Sequence, residues 1–271
     1  MNTLLNRYLA GEQEGVWQEL RALGRSACVE PLLAATVEIC NTAMQRAKYN
    51  CELLVARLLA SNYRFYSPDN KLVLTDSTGL EALSQTNDRY GPIPTALYSW
   101  YELVSNIDLR GTHPDWAFTG NPFTWLQDAI RQDSARRNLG PSRTKEGSSK
   151  EANEAEDTVS IKPYFDTDAL QLTSAYFGRC GLSLSDGICG ITISTDEALI
   201  HGDVAGDSEI LVPDLRADGS FVSPELNIAP TFVGYLRRSF EWGGFPGFAN
   251  VPEELRPTEM LNYLREGLLP I

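Results

Sequence analysis

An α+β fold, with helices packed on one face of an antiparallel sheet and a helical segment in front, is predicted by three features of the sequence. The first 66 residues repeat apolar side chains at helical spacing. The stretch after Asp168 breaks into short β-branched runs between Gly- and Asp-rich turns. Helical spacing then returns from Phe232 onward. With 271 residues, 42% of them apolar and 10% aromatic, the chain has material for a packed core.

Each element follows from local pattern. Leu4, Leu5, Tyr8 and Leu9 lie on one helical face; Gly11 and Gly15 interrupt, and Val16, Trp17, Leu20 and Leu23 resume the pattern until Gly24. From Pro31, a residue suited to a helix start, Leu33, Val37, Cys40, Met44 and Ala47 form one stripe. Cys51, Leu54, Val55, Leu58 and Leu59 extend it to the stop at Ser67-Pro68. This divides the chain into an N-terminal helical segment, residues 1–67, and an α+β domain, residues 68–271. In the second unit LVLTD predicts a strand and Gly79 to Tyr90 a helix. The break Gly91-Pro92-Ile93-Pro94 launches a further helix bearing Leu97, Trp100, Tyr101 and Val104 on one face.

Residues 131–160 are rich in charge, Gly and Ser and poor in large apolar residues. They bury too little to offset the entropy of ordering, which predicts a mobile insertion. Beyond it, ALQLTSAYF, GICGITIST, EALIHGD, SEILVPDL and SFVSPEL predict an antiparallel meander. A helix from Phe232 to Phe240 ends at Trp242-Gly243-Gly244, and a last helix spans Leu255 to Leu264.

The formal charge is −13, and it is unevenly spread: residues 161–271 hold 7 Lys+Arg against 16 Asp+Glu. Such a field repels phosphate backbones and anionic lipid, so neither nucleic acid nor a membrane is the expected partner; a basic protein is attracted. The oligomeric state is left open. Five cysteines at 28, 40, 51, 180 and 189 lack paired spacing or nearby histidines and predict free thiols. No export signal or membrane-length apolar run is found, which predicts a cytoplasmic protein.

Groups for catalysis are sparse. His113 in RGTHPDW and His201 in IHGDVAG each have an aspartate two residues away, the arrangement of a carboxylate-oriented base. Yet there is no GxSxG elbow, no GxxxxGK(S/T) phosphate loop and no GxGxxG after a strand. Asp214, Asp218, Gly219 and Glu225 fall at calcium-loop spacing, but Arg216 stands at the third position and opposes a cation, so the segment predicts an Asp-Gly hairpin turn. The expectation is a non-catalytic protein with no metal and no cofactor. Asp203, Asp207, Glu209, Asp214 and Asp218 cluster around the predicted hairpins and are the candidate docking charges for a basic partner.

The segment LEALSQTNDRYGPIPTALYSWYELVSNIDLRG resembles the opening of the SUKH superfamily, which joins Smi/Knr-like cell-wall regulators and bacterial toxin-immunity proteins. Gly91 to Pro94 match its proline-marked break, and Leu97, Trp100 and Tyr101 match its apolar helix face; Ser105-Asn106 stand where a glycine pair is often found. TFVGYLRRSFEWGGFPGF resembles the closing helix of a SUKH-like subgroup, and the resemblance spans about residues 72–250. It implies a protein-binding module, an immunity or antitoxin type that neutralises a bacterial effector, and it transfers no catalytic residues. A regulatory scaffold and a hydrolase using His113 or His201 are the alternative readings.

Overall fold

The computed structural model describes residues 3–69, 71–74, 77–114, 116, 169–172, 180–183, 189–194, 208–222, 231–251 and 253–271. Helices α1 (Thr3–Leu9), α2 (Gln13–Leu23) and α3 (Leu33–Ala60) occupy the front of the chain, as the apolar periodicity predicts. Gly11, at φ +105°, makes the only interruption between the first two, because that backbone region favours glycine; Gly15 sits inside the first turn of α2 and breaks nothing. The predicted stripe on α3 is buried at Cys40, Met44, Ala47, Cys51, Leu54, Val55 and Leu58, with both cysteines fully covered; its end members Leu33 and Leu59 are exposed, and the helix stops at Ala60, short of Ser67-Pro68.

Helix α4 (Ser77–Tyr90), the Gly-Pro-Ile-Pro break and α5 (Thr95–Leu103) follow. Leu97, Trp100 and Tyr101 have no solvent exposure, and α5 packs along α3, where the Ser99 hydroxyl donates to Asn41 Oδ1 at 2.7 Å. Near the chain's end, α6 (Phe232–Glu241) and α7 (Thr258–Arg265) bury Phe232, Leu236, Leu261 and Leu264. The predicted start of α7 at Leu255 is three residues early, since Pro257 would remove a donor from the helix interior; a 3-10 turn at Glu253–Leu255 precedes it.

Among the described residues the strands form three antiparallel sheets, not one meander. Strand β1 (Arg64–Phe65) pairs with β4 (Gly111–Thr112). Strands β2 (Leu72–Val73), β3 (Asn106–Asp108) and β5 (Gln171–Leu172) form the second sheet. In it buried Ile107 stands opposite buried Leu172, an apolar pairing that places Gln171–Leu172, from the predicted run ALQLTSAYF, in this sheet. The third sheet, β6 (Cys180–Ser183), β7 (Cys189–Ser194), β8 (Ser208–Val212) and β9 (Phe221–Val222), is an up-and-down meander that contains three of the anticipated runs, GICGITIST, SEILVPDL and SFVSPEL, and a first strand not anticipated from the sequence. The predicted insertion at 131–160 and the EALIHGD strand lie outside the described residues.

One hydrophobic core runs through these elements, from Leu4 and Trp17 through Trp100 and Ile210 to Phe248 and Ile271. The helical segment 1–67 therefore shares its interior with residues 68–271.

Candidate functional site

The loop between β8 and β9, residues 213–220, holds two of the predicted docking acids and is the most densely bonded irregular segment described. It is longer than a tight Asp-Gly turn, and its length has a use. The Arg216 and Ala217 carbonyls accept from the Thr95 and Ala96 N–H groups at 3.2 and 2.9 Å, which satisfies the start of α5. That helix begins after Pro94 with no side-chain cap of its own, so its first donors need outside acceptors. In return the Asp214 N–H donates to the Pro92 carbonyl at 2.6 Å. A Cβ on Gly219 would fall 2.3 Å from Pro94 Cγ and one on Gly91 2.9 Å from Pro213 Cβ, so glycine permits both close approaches.

Asp214 receives Arg216 in a fork, Nε at 2.8 Å and Nη2 at 2.6 Å, with the Arg216 N–H adding a third bond at 3.0 Å. The arginine at the third position of the calcium-like spacing thus fills the carboxylate with its own charge. Asp218 works on α6: its Oδ1 accepts the Val233 N–H at 3.0 Å, Thr231 Oγ1 accepts the Gly234 N–H at 3.1 Å, and the Gly219 carbonyl accepts the Phe232 N–H at 3.0 Å. All three opening donors of α6 are satisfied, two of them by this loop. The other Asp218 oxygen meets Arg21 at 3.3 Å. Burial pushes the Asp218 carboxyl above its ordinary value, and the Val233 N–H, the Thr231 hydroxyl and Arg21 offset this only in part.

These placements correct the expectation that the hairpin acids face a partner. Glu209, Asp214 and Asp218 are 3%, 6% and 3% exposed, and the last two are committed to internal donors. Glu209 on β8 stands in register with Thr192 and lays its carboxylate over the neighbouring Gly190 of β7, where a Cβ would collide with it. Asp203 and Asp207, with His201 and Glu225, lie outside the described residues. Many of the exposed acids stand instead on or beside helices. Glu12, Glu14, Glu19, Glu38, Glu52, Glu102, Glu241 and Glu259 are all open to solvent. Sequence reasoning passed over them because charges on the polar face of a helix are ordinary; the signal was their place opposite the apolar stripes.

His113 Nε2 lies 2.8 Å from the Ser61 carbonyl, so that nitrogen carries the proton and donates; its ring leans on Trp116 at 5.2 Å. Both flank a shallow hollow of about 540 Å³ with Pro257, Met260 and Tyr263. Burial raises the Cys40 and Cys51 thiols well out of the range in which a thiolate forms at neutral pH. In the third sheet the register sets Cys189 opposite Ser183 and Cys180 opposite Ile191, so the two are not cross-strand partners.

A second hollow, about 570 Å³, opens between the α1–α2 turn, α6 and the chain after α7, lined by Gln13, Glu14, Arg237, Phe240, Glu241 and Arg265 among others. Burial lowers the Arg237 guanidinium, with Glu14 acting against it; Glu14 is held below its usual value by Gln18, Arg237 and Arg21 although burial acts to raise it. Among the described residues no group of three or more His, Cys, Asp or Glu side chains could hold a metal ion, and no helix is long and apolar enough to cross a membrane. No family model, no curated protein and no solved structure matches this chain.

Proposed function

We propose that this chain is a non-catalytic protein-binding module of the immunity type, acting in the bacterial cytoplasm to cover a basic effector, as the SUKH resemblance of residues 72–250 implies. The observation that carries the reading is how the acidic excess divides. Several sheet and loop acids are buried, whereas the glutamates on α2, α3, α5 and the ends of α6 and α7 remain outside, within a net charge of −13. A field of that sign steers a cationic surface toward the helices and raises its association rate.

Tagged chain immobilised with its native lysate retains a basic protein that elutes as salt rises toward about 0.5 M, where the screening length falls below about 5 Å. Reversing Glu52, Glu102 and Glu259 to Lys slows association at low salt by about tenfold or more and leaves folding intact, since exposed charges contribute little to stability. Capture indifferent to both salt and charge reversal would sink the reading.

A further inference from the structure

The chain after α7 is held in an unusual way. Residues 266–271 form no helix or strand, yet side chains from two helices grip their backbone. Asn50 donates to the Leu269 carbonyl at 2.9 Å and accepts the Leu269 N–H at 2.7 Å, the two-bond pairing that a neighbouring strand would supply. Arg46 donates to the Pro270 carbonyl at 2.9 Å, and Arg237 donates to the Ile271 oxygen through Nε at 2.7 Å and Nη2 at 2.6 Å. Arg46 and Asn50 are four apart on α3 and so share a face.

Every one of these bonds goes to main chain. The side chains of the segment contribute little: Leu269 is 41% exposed and Pro270 is open, while only Ile271, at 3%, and the half-buried Leu268 sink into the core surface. Recognition of this kind fixes an extended backbone and asks only for apolar residues three positions apart, so it is tolerant of sequence. Beside the segment the hollow of about 570 Å³ stays open, within the size range of clefts that bind ligands, about 300–1,000 Å³.

We propose that Asn50, Arg46, Arg237 and the hollow beside them form a peptide-docking groove in which residues 266–271 are an internal placeholder. Its occupant from outside is an extended segment of a protein partner with apolar residues three positions apart. This deepens the protein-binding reading and rests on it for the nature of the partner. A segment tethered in place has an effective concentration of about a millimolar, so the resting chain resists any free peptide present at micromolar levels. Docking requires the placeholder to leave.

A fluorescent peptide of residues 265–271 tests this on the full chain without any partner, so its failure is separable from failure of the salt-sensitive capture. Ile271→Glu, which removes the buried anchor, binds the peptide at least tenfold more tightly by anisotropy than the unaltered chain. Adding Asn50→Ala to that variant removes at least tenfold of the gain. Equal affinity of Ile271→Glu and the unaltered chain, or no effect of Asn50→Ala, overturns the proposal. Should Ile271→Glu not fold, Leu269→Pro, which deletes the N–H given to Asn50 at an exposed side-chain position, takes its place. Where either variant folds but is destabilised, peptide added in trans must raise its Tm, and a Tm that ignores the peptide overturns the groove as well. A dimer of the unaltered chain that grows with concentration and is abolished by Ile271→Glu identifies the occupant as a second copy, and likewise overturns the partner assignment.

Discussion

Asp218 offers the sharpest test of whether the hairpin acids hold the fold together, because two physical effects at that carboxylate point in opposite directions. The Arg21 guanidinium at 3.3 Å favours the charged form; a side chain with no solvent exposure disfavours it. Burial is the larger effect, since the ion pair is long and Arg21 is itself 29% exposed and partly hydrated. Asp218→Ala deletes the acceptor for the Val233 N–H at the start of α6 and leaves that donor buried, a cost of about 2 kcal/mol. At about 2–4 °C per kcal/mol for a chain of roughly this size, Tm falls by about 4–8 °C. Asp218→Asn keeps an oxygen for Val233 and removes the desolvated charge, so it costs less than about 1 kcal/mol. The pH dependence has a fixed sign. A carboxyl whose folded pKa lies above its unfolded value of 3.8 stabilises the fold most below that value, and the contribution is lost as pH rises through the folded pKa. Urea denaturation from about pH 4 to about pH 7 should therefore show Asp218→Asn gaining on the unaltered chain as pH rises. An Asn variant as damaged as the Ala variant, or a gap that moves the other way, would show that the Arg21 pairing dominates.

Ser105 ends α5 at φ 70°, fully buried, with its hydroxyl finding no hydrogen-bond partner among the described residues. Ser105→Gly relieves about 1–2 kcal/mol of left-handed strain against about 0.5–1 kcal/mol of added chain entropy, and keeps the Trp100 Nε1 bond to the residue-105 carbonyl, so Tm in a thermal melt does not fall and rises by up to about 6 °C. Gly219→Ala puts a methyl 2.3 Å from Pro94 Cγ and separates the interlocked loops; calorimetry should show a loss of about 1–3 kcal/mol or more. With a thiol reagent at neutral pH, peptide mapping finds half-buried Cys28 labelled well before Cys40 and Cys51, whose labelling follows global unfolding. Native-state labelling of Cys40 ahead of Cys28 would contradict the packing of α3.

The helices were legible in the sequence because each carries its own period. The α3 stripe, the Gly-Pro-Ile-Pro launch of α5 and the Phe232-to-Phe240 spacing of α6 are local signals that place their elements, although α3 ends at Ala60, short of the predicted stop at Ser67-Pro68. Strand partners are not local. ALQLTSAYF reads as the first strand of the meander, yet Leu172 pairs with Ile107, across a separation that no periodicity reports. The roles of Asp214 and Asp218 were hidden for the same reason. An aspartate beside a glycine in a turn looks solvated until the start of α6 is known to lie against it. Ser105 was hidden too: it adopts the left-handed backbone that glycine favours, which a serine in the sequence does not announce.

The loop at 213–220 also explains why the front helices and the later domain act as one body. Its carbonyls start α5, its aspartate and Gly219 start α6, its Asp218 reaches Arg21 on α2, and Cys40 on α3 faces its Ala217 carbonyl at 4.0 Å. Elements from both sides of residue 67 therefore meet at one short segment whose own conformation depends on the Asp214–Arg216 fork. Glu102 on α5 and Glu241 on α6 stand on the two helices whose N-termini this loop fixes, so a load on either is transmitted to the loop without distorting the sheet. Exposed charges cost the interior little, and buried Asp218 joins the Thr231 cap in satisfying the start of α6, so an acidic chain keeps a closed hydrophobic core by giving its inner carboxylates internal donors.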